Sequence, residues 1–188
     1  AALISGGRFI QYVVYGNGTG VATTAGGWSW LILPAGYVGT ALFGATLLYL
    51  NNRTGRSKLI AMLLGAAFGL VTVLFARNWH ALITGIIVAA GLIGLGWKVA
   101  PTIVQLLLNL LAMLTGLNAV LDLWGLLGNL NSAVVRGIGN VPNDAYAMAQ
   151  LVPIIPAAFW AVLWIVTAVG LLGVSAYYTF CRSLRRRP

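Results

Sequence analysis

Five stretches of this chain are apolar for long enough to cross a lipid bilayer, and that property constrains the fold more than any other. A helix rising about 1.5 Å per residue needs roughly twenty apolar residues to span about 30 Å of hydrocarbon. Residues 28–50, 59–76, 81–97, 102–127 and 152–180 meet or approach that length. None has the polar face that a helix of a soluble domain turns to water. Composition agrees: 7% of residues are charged and mean hydropathy is +0.93, against about a quarter charged in soluble domains. The sequence predicts an all-α polytopic membrane protein of about five transmembrane helices, with a short N-terminal β-hairpin.

The punctuation fits this reading. Asn51–Lys58 (NNRTGRSK), Arg77–His80 (RNWH) and Lys98–Pro101 are short polar turns, and Leu130–Gln150 is the one long polar connection. Trp28, Trp30, Tyr49, Trp79, Trp97, Tyr177 and Tyr178 fall near the expected helix ends, where amphipathic rings settle at headgroup depth. Trp160 and Trp164 fall further in and are expected to pack against helices or lipid. Small residues recur every fourth position at Gly36/Thr40/Gly44, Ala61/Gly65/Gly69 and Gly85/Ala89, a stripe along which backbones can approach closely.

The inventory of reactive side chains is short. The acids are Asp122 and Asp144, with no Glu; His80 and Cys181 are single. One thiol cannot form an intrachain disulfide, and one His without partners is not a metal site. His80, beside Trp79 in a two-helix turn, is expected to be interfacial. Asp144 follows Pro142-Asn143 and suits a helix N-cap. Gly16, Gly18 and Gly20 are not a phosphate loop, because no Lys-Ser/Thr follows and no βαβ unit surrounds them. Asp122 differs from the others: a carboxylate within an apolar segment is costly and is a functional candidate by default. The structural alternative is pairing with a neighbouring cation or a polar cluster with Asn118. Gln105 and Asn109 share one helical face and Asn118 and Asp122 another, about half a turn out of phase at 3.6 residues per turn. The two pairs can converge only if the helix is interrupted, and a kink or break is expected at Thr115-Gly116.

The ends divide the chain into residues 1–27, the bundle over 28–180 and a basic tail over 181–188. Ala1–Ser5 reads as the last turn of a helix closed by Gly6-Gly7, so the natural protein is expected to continue upstream. Arg8–Tyr15 and Val21–Thr24 are strand-like runs around Gly16-Asn17-Gly18-Thr19-Gly20, the pattern of a β-hairpin. Its edges cannot face lipid. Cys181 with Arg182, Arg185, Arg186 and Arg187 reads as a stop-transfer cluster facing anionic headgroups, not as a nucleic-acid site.

Several of these stretches together resemble the site-2-protease-type intramembrane zinc metallopeptidases, in the short bacterial B-like subgroup. They are Ala1–Phe9 with Gly16–Ala22, then Pro34–Gly39 with Leu42–Ala45. Arg77-Asn78, Leu117–Asp122, and Asn143-Asp144-Ala145 with Ile155-Pro156-Ala157 and Trp160 follow in order. The resemblance implies a protein of a bacterial inner or internal membrane, with zinc as cofactor where the family's His-Glu-x-x-His motif is present. That motif would lie immediately before Ala1 and is absent from this chain, so no catalytic residue is assigned within it. By resemblance Asp122 is the third zinc ligand, with Asn118 and Asn109 supporting; Leu121 and Leu123 stand where the family has Pro and Gly. The hairpin residues Arg8, Tyr15, Gly16, Asn17, Gly18 and Gly20 would present a strand edge to an extended substrate. Expected partners are the lipid bilayer and a membrane-protein substrate or neighbouring membrane subunits. The alternative function is a catalytically inactive, family-like scaffold or accessory subunit of a larger membrane complex.

Orientation is read two ways. Arg53, Arg56, Lys58, Lys98 and the tail arginines outnumber Arg8, Arg77 and Arg136 on the opposite side, which places the hairpin outside by the positive-inside rule. The family resemblance places it toward the cytoplasm.

Overall fold

The computed structural model describes residues 1–16, 20–128, 133–135, 139–141 and 144–181. In chain order the elements are β1 (Arg8–Val14), β2 (Gly20–Ala25), α1 (Ser29–Ala35), α2 (Tyr37–Thr54), α3 (Ser57–Phe75), α4 (Trp79–Lys98) and α5 (Pro101–Gly128). There follow β3 (Ala133–Val135), β4 (Gly139–Val141), α6 (Asp144–Leu151) and α7 (Ala157–Ala176), which runs on into a π-helical turn, Tyr177–Cys181. Helices α3, α4, α5 and α7 are each long and apolar enough to cross a membrane, and α1 with α2 makes a fifth candidate bent by 59°. The all-helical membrane architecture and the N-terminal hairpin are both present. The chain forms two compact units, one of Ala2–Trp28 and Asn51–Asn109, the other of Ala1, Ser29–Leu50 and Leu110–Pro188.

The first unit is built on an antiparallel helix pair. On α3 and α4 the small residues sit where the backbones meet: Ala61, Gly65, Ala81, Gly85, Ala89 and Gly96 are buried. A Cβ at Gly65 would stand 2.8 Å from the Ala89 carbonyl oxygen, and one at Gly85 would stand 2.2 Å from Thr72 Oγ1. Such contacts let dispersion forces act over the whole length of the pair, which is how helices associate where lipid already satisfies apolar surface. Ala61, Leu92, Val104 and Leu108 form the buried cluster beside it.

The β-hairpin rests on the α3–α4 turn through its first strand. The Tyr12 hydroxyl donates to Thr72 Oγ1 at 3.1 Å, and the Arg77 N–H donates to the Tyr12 carbonyl at 3.3 Å. Phe9 meets Phe75 edge-on, with ring centroids 4.9 Å apart. Asn78 then does two jobs. Its Oδ1 caps α4 by accepting from Ala81 N–H and also accepts from Val14 N–H, both at 3.2 Å, while its Nδ2 donates to the Val14 carbonyl. One carboxamide thus ties the end of β1 to the start of a membrane helix. At the chain start, Gly7 N–H donates to the Ala2 carbonyl at 2.8 Å across Gly6, whose φ is +81°; this is the bond that closes helices at a left-handed glycine.

The second unit departs from the sequence expectation in three places. Residues 28–50 were expected as one span, yet Pro34 and Gly36 divide the region into α1 and α2. Proline removes a helix donor and crowds the preceding turn, and Gly36 adds a weak helix position. Residues 152–180 yield α7 only from Ala157, because Pro153 and Pro156 keep the preceding stretch out of the helix. The long polar connection Leu130–Gln150 contains a short hairpin that was not expected, with Ala133 opposite Val141, before the helix α6 that Asp144 was expected to cap. Its core comprises Ala41, Ala119, Leu123, Ala145, Met148, Trp160, Ala161, Trp164 and Ala168, so both interior tryptophans do pack against helices.

Of the kink or break expected at Thr115-Gly116, a break is not there: α5 is helical from Pro101 to Gly128. Thr115 Oγ1 donates to the Leu111 carbonyl at 2.7 Å, which satisfies the hydroxyl within the helix. Gly116 serves close packing instead, since a Cβ there would stand 2.2 Å from Leu172 Cδ2.

The glycines give a paired prediction. Gly65→Ala forces the helix backbones apart and lowers the thermal midpoint, with a loss of about 1–3 kcal/mol typical of overpacking. Gly91→Ala, where an added Cβ meets nothing within 4 Å, holds or raises it by up to about 1 kcal/mol through helix propensity. Circular dichroism melts in one detergent check the opposite signs.

Candidate functional site

Both acids of the chain belong to the second unit, on α5 and at the start of α6, and one side chain feels both. Tyr37, the first residue of α2, donates its hydroxyl to the Asp144 carboxylate, and the charge of Asp122 also bears on that hydroxyl. The Tyr37 ring is stacked on Trp164, with centroids 6.1 Å apart and planes 18° from parallel, and it packs against the core cluster. Ala119 and Leu123 of α5 are buried in that cluster. Asp122, beside Leu123, is left on an exposed part of the helix, as is Asn118.

Asp144 is the first helical residue of α6, not the residue before it. A carboxylate in the first turn of a helix is favoured by the positive end of the backbone dipoles. Asp144 is part-buried. Burial raises its pKa above the ordinary carboxylate value, and the hydrogen bond from Tyr37 pulls part of that back. No hydrogen bond reaches Asp122 among the described residues. Nearby in the same cluster, Trp160 is 8% exposed and its indole N–H has no acceptor among the described residues. A buried donor without a partner is uncommon in a folded protein. Neither the Tyr37–Asp144 bond nor the orphan indole is signalled by sequence spacing, since each depends on helices distant in the chain.

The other polar positions of α5 have different partners. Asn51, fully buried at the end of α2, donates through Nδ2 to the Asn109 Oδ1 at 2.8 Å and to the Gln105 carbonyl at 3.0 Å. Asn52 Nδ2 donates to the same Asn109 oxygen at 2.8 Å. Asn52 Oδ1 in turn accepts from Gln105 and Asn109, both at 3.2 Å. Four carboxamides therefore answer one another inside the first unit. Gln105 and Asn109 reach this network without the helix break that convergence with Asn118 and Asp122 required.

Of the hairpin residues, Arg8 opens β1, Tyr15 and Gly16 follow its end, and Gly20 opens β2; Asn17 and Gly18 lie outside the described residues. β1 pairs with β2 on one side, from Arg8 opposite Ala25 to Val14 opposite Gly20. On its other side Tyr12 forms a parallel bridge to Ala76. Among the described residues no strand pairs with the outer edge of β2, which is largely exposed. His80 is exposed at the start of α4. The tail arginines lie outside the described residues.

A zinc ion needs three or four protein donors. Among the described residues no three of His, Cys, Asp and Glu come together, so these residues do not by themselves fit a zinc ion. Asp122 offers one carboxylate. A family model described as Peptidase M50B-like matches residues 1–175. No curated protein and no solved structure matches the chain.

The carboxamide network sets a prediction of its own. Asn109→Leu removes the acceptor shared by Asn51 and Asn52, and the loss at fully buried Asn51 alone costs about 1–3 kcal/mol. Chemical denaturation in mixed micelles is expected to show a midpoint well below that of the wild type, whereas Asn118→Leu on the exposed side leaves it near the wild-type value.

Proposed function

Because the chain belongs to the Peptidase M50B-like family, of the site-2-protease type, we propose that it is an intramembrane zinc metallopeptidase of a bacterial inner or internal membrane, with Asp122 as its metal-binding carboxylate. The observation behind this reading is the family match over residues 1–175 to an integral membrane chain that keeps a carboxylate on a span-length apolar helix. An ionisable group placed there is expensive, and ligation offsets that cost. When bound by Asp122 and donors from elsewhere in the protein, zinc would supply an acidified water.

The chain's own contribution is to place the carboxylate and to present the substrate. A peptide bond in a transmembrane helix is shielded by its own hydrogen bonds, so cleavage needs an extended segment. The outer edge of β2 offers unpaired backbone groups to such a segment, by β-augmentation. Tyr12, Asn78 and the Phe9–Phe75 contact hold the hairpin in place while β2 stays open. The substrate class is thus a membrane-embedded peptide that can unwind locally.

Metal analysis of the purified protein tests the site. The wild type is expected to retain zinc and Asp122→Ala to lose it; equal zinc in both removes Asp122 from the ligand set. A His-Glu-x-x-His motif encoded upstream of Ala1 supports the enzyme, and its absence from the whole coding sequence favours the scaffold role. Substrate presentation is tested separately with a photo-crosslinking residue. At Thr23 on β2 it is expected to capture a membrane peptide substrate, and at Gln11 on β1 to capture far less; equal capture overturns the edge assignment.

A further inference from the structure

We propose that the first unit holds the headgroup of an anionic phospholipid where α3 begins and α4 stops, with Trp97 joining two lysines into one site. The segment Asn51–Asn109 carries the cations Arg53, Arg56, Lys58, Arg77 and Lys98 and no acid. Arg77 lies at the hairpin end of the helix pair, and the others lie at the opposite end. Trp97 gathers two of them. Its carbonyl accepts from Lys58 Nζ at 3.3 Å, and its indole ring lies 5.7 Å from Lys98 Nζ, within the range of a cation–π contact. An ammonium has three protons to donate; Lys58 gives one to Trp97 and keeps the others for a ligand. Trp97 and Lys98 are both exposed.

Close packing fixes this arrangement. A Cβ at Gly96 would stand 2.7 Å from the Lys58 carbonyl oxygen and 2.5 Å from Met62 Cγ, so the helix ends meet and Trp97 is brought beside Lys58. One turn deeper the surface changes character. Met62 follows Lys58 by four residues on α3 and Ile93 precedes Trp97 by four on α4, the spacing that stacks side chains on one helical face. Both are exposed, and both border the seam, Met62 against Gly96 and Ile93 against Gly65. From the helix ends inward the seam therefore offers ammonium groups, an amphipathic ring, then a thioether and a branched alkyl chain. A phospholipid presents the matching order of phosphate, ester carbonyls and acyl chain, and tryptophan settles at the depth of that headgroup boundary. Charge then selects among phospholipids. A zwitterionic headgroup brings its own ammonium to a cationic surface, whereas a headgroup of net negative charge is attracted by each Lys and Arg beside the membrane. Exposed Arg53 and Arg56 extend this field from the preceding turn. There Gly55 takes a φ of +64° and the Arg56 N–H donates to Thr54 Oγ1 at 3.3 Å.

The full chain in a mild detergent is titrated with dioleoyl phosphatidylglycerol or dioleoyl phosphatidylethanolamine, and retained lipid is counted by native mass spectrometry. Phosphatidylglycerol is expected to stay bound at concentrations where phosphatidylethanolamine does not. Lys58→Gln and Lys98→Gln are each expected to weaken phosphatidylglycerol about fivefold, the factor for one lysine at an anionic surface. Arg77→Gln, at the other end, leaves binding near the wild-type value. Trp97→Leu keeps the carbonyl and removes the ring, so Lys98 loses its support. Combined with Lys98→Gln it is expected to cost less than the product of the single losses, as coupled neighbours do. Lys98 is exposed, so its variant carries the test should Lys58→Gln fail to fold. Equal retention of the two lipids overturns the proposal, as does unchanged binding in folded Lys98→Gln. An equal loss in Arg77→Gln marks diffuse attraction and overturns it too, and fully multiplicative losses at Trp97 and Lys98 overturn the joint site. Displacement of the lipid by millimolar inorganic phosphate identifies a free-anion site and excludes the headgroup. Retention requires neither zinc nor cleavage, so a chain that holds no metal and cleaves nothing still binds the lipid; that outcome defeats the metallopeptidase reading alone.

Discussion

Hydrocarbon offers no hydrogen bonds, so every polar group on an apolar helix must be answered from within the protein. That requirement accounts for most of the specific contacts in this chain. Asn51, Asn52, Gln105 and Asn109 bond to one another, and Thr115 and Thr167 turn back on their own helices. Ser175 reaches the Ala45 carbonyl at 2.6 Å. Asn78 answers a helix end and a strand end together. The polar residues are few, and their pairings set which helices lie together. A buried network of this kind specifies one arrangement best when its members are satisfied, and among the described residues Asn51 Oδ1 is the member left without a donor.

Close backbone approach is the second organising element. Leu, Ile and Val gain little by leaving lipid for protein, so the helices gain by packing closely at small residues. Gly65, Gly85 and Gly96 serve this purpose between α3 and α4, and Gly44 and Gly116 within the other unit, where a Cβ at Gly44 would stand 2.7 Å from the Ala112 carbonyl oxygen. Glycine is thus doing two different things in one sequence. At Gly6, Gly26, Gly27 and Gly55 it supplies a left-handed backbone, while on the helices it supplies absence of volume.

The chemistry of the protein concentrates on very few atoms. With two acids and no Glu, the chain cannot afford both carboxylates in structural roles if it is to offer a ligand. Among the described residues Asp144 meets a tyrosine hydroxyl and Asp122 receives no hydrogen bond, and β1 is bridged on its far side while β2 has no partner strand on its own.

Much of this was legible beforehand. Span-length apolar runs, the strand-turn-strand pattern of Arg8–Ala25 and the cost of Asp122 all follow from local sequence, because bilayer thickness and backbone hydrogen bonding act on contiguous residues. The family resemblance extended the same reading. Pro34 and Pro156 were visible as well, yet how far they would shorten or split a span was not, since that depends on what packs against the break. Thr115-Gly116 shows the converse: a pair that reads as a helix breaker became a contact for Leu172. Partner choice was decided only by tertiary structure. Asn109 turned to Asn51 and Asn52, and Asp144 turned to Tyr37 more than a hundred residues away in the chain. Periodicity states which face of a helix a side chain occupies; the crossing of helices, governed by where small residues let backbones meet, determines what that face finds.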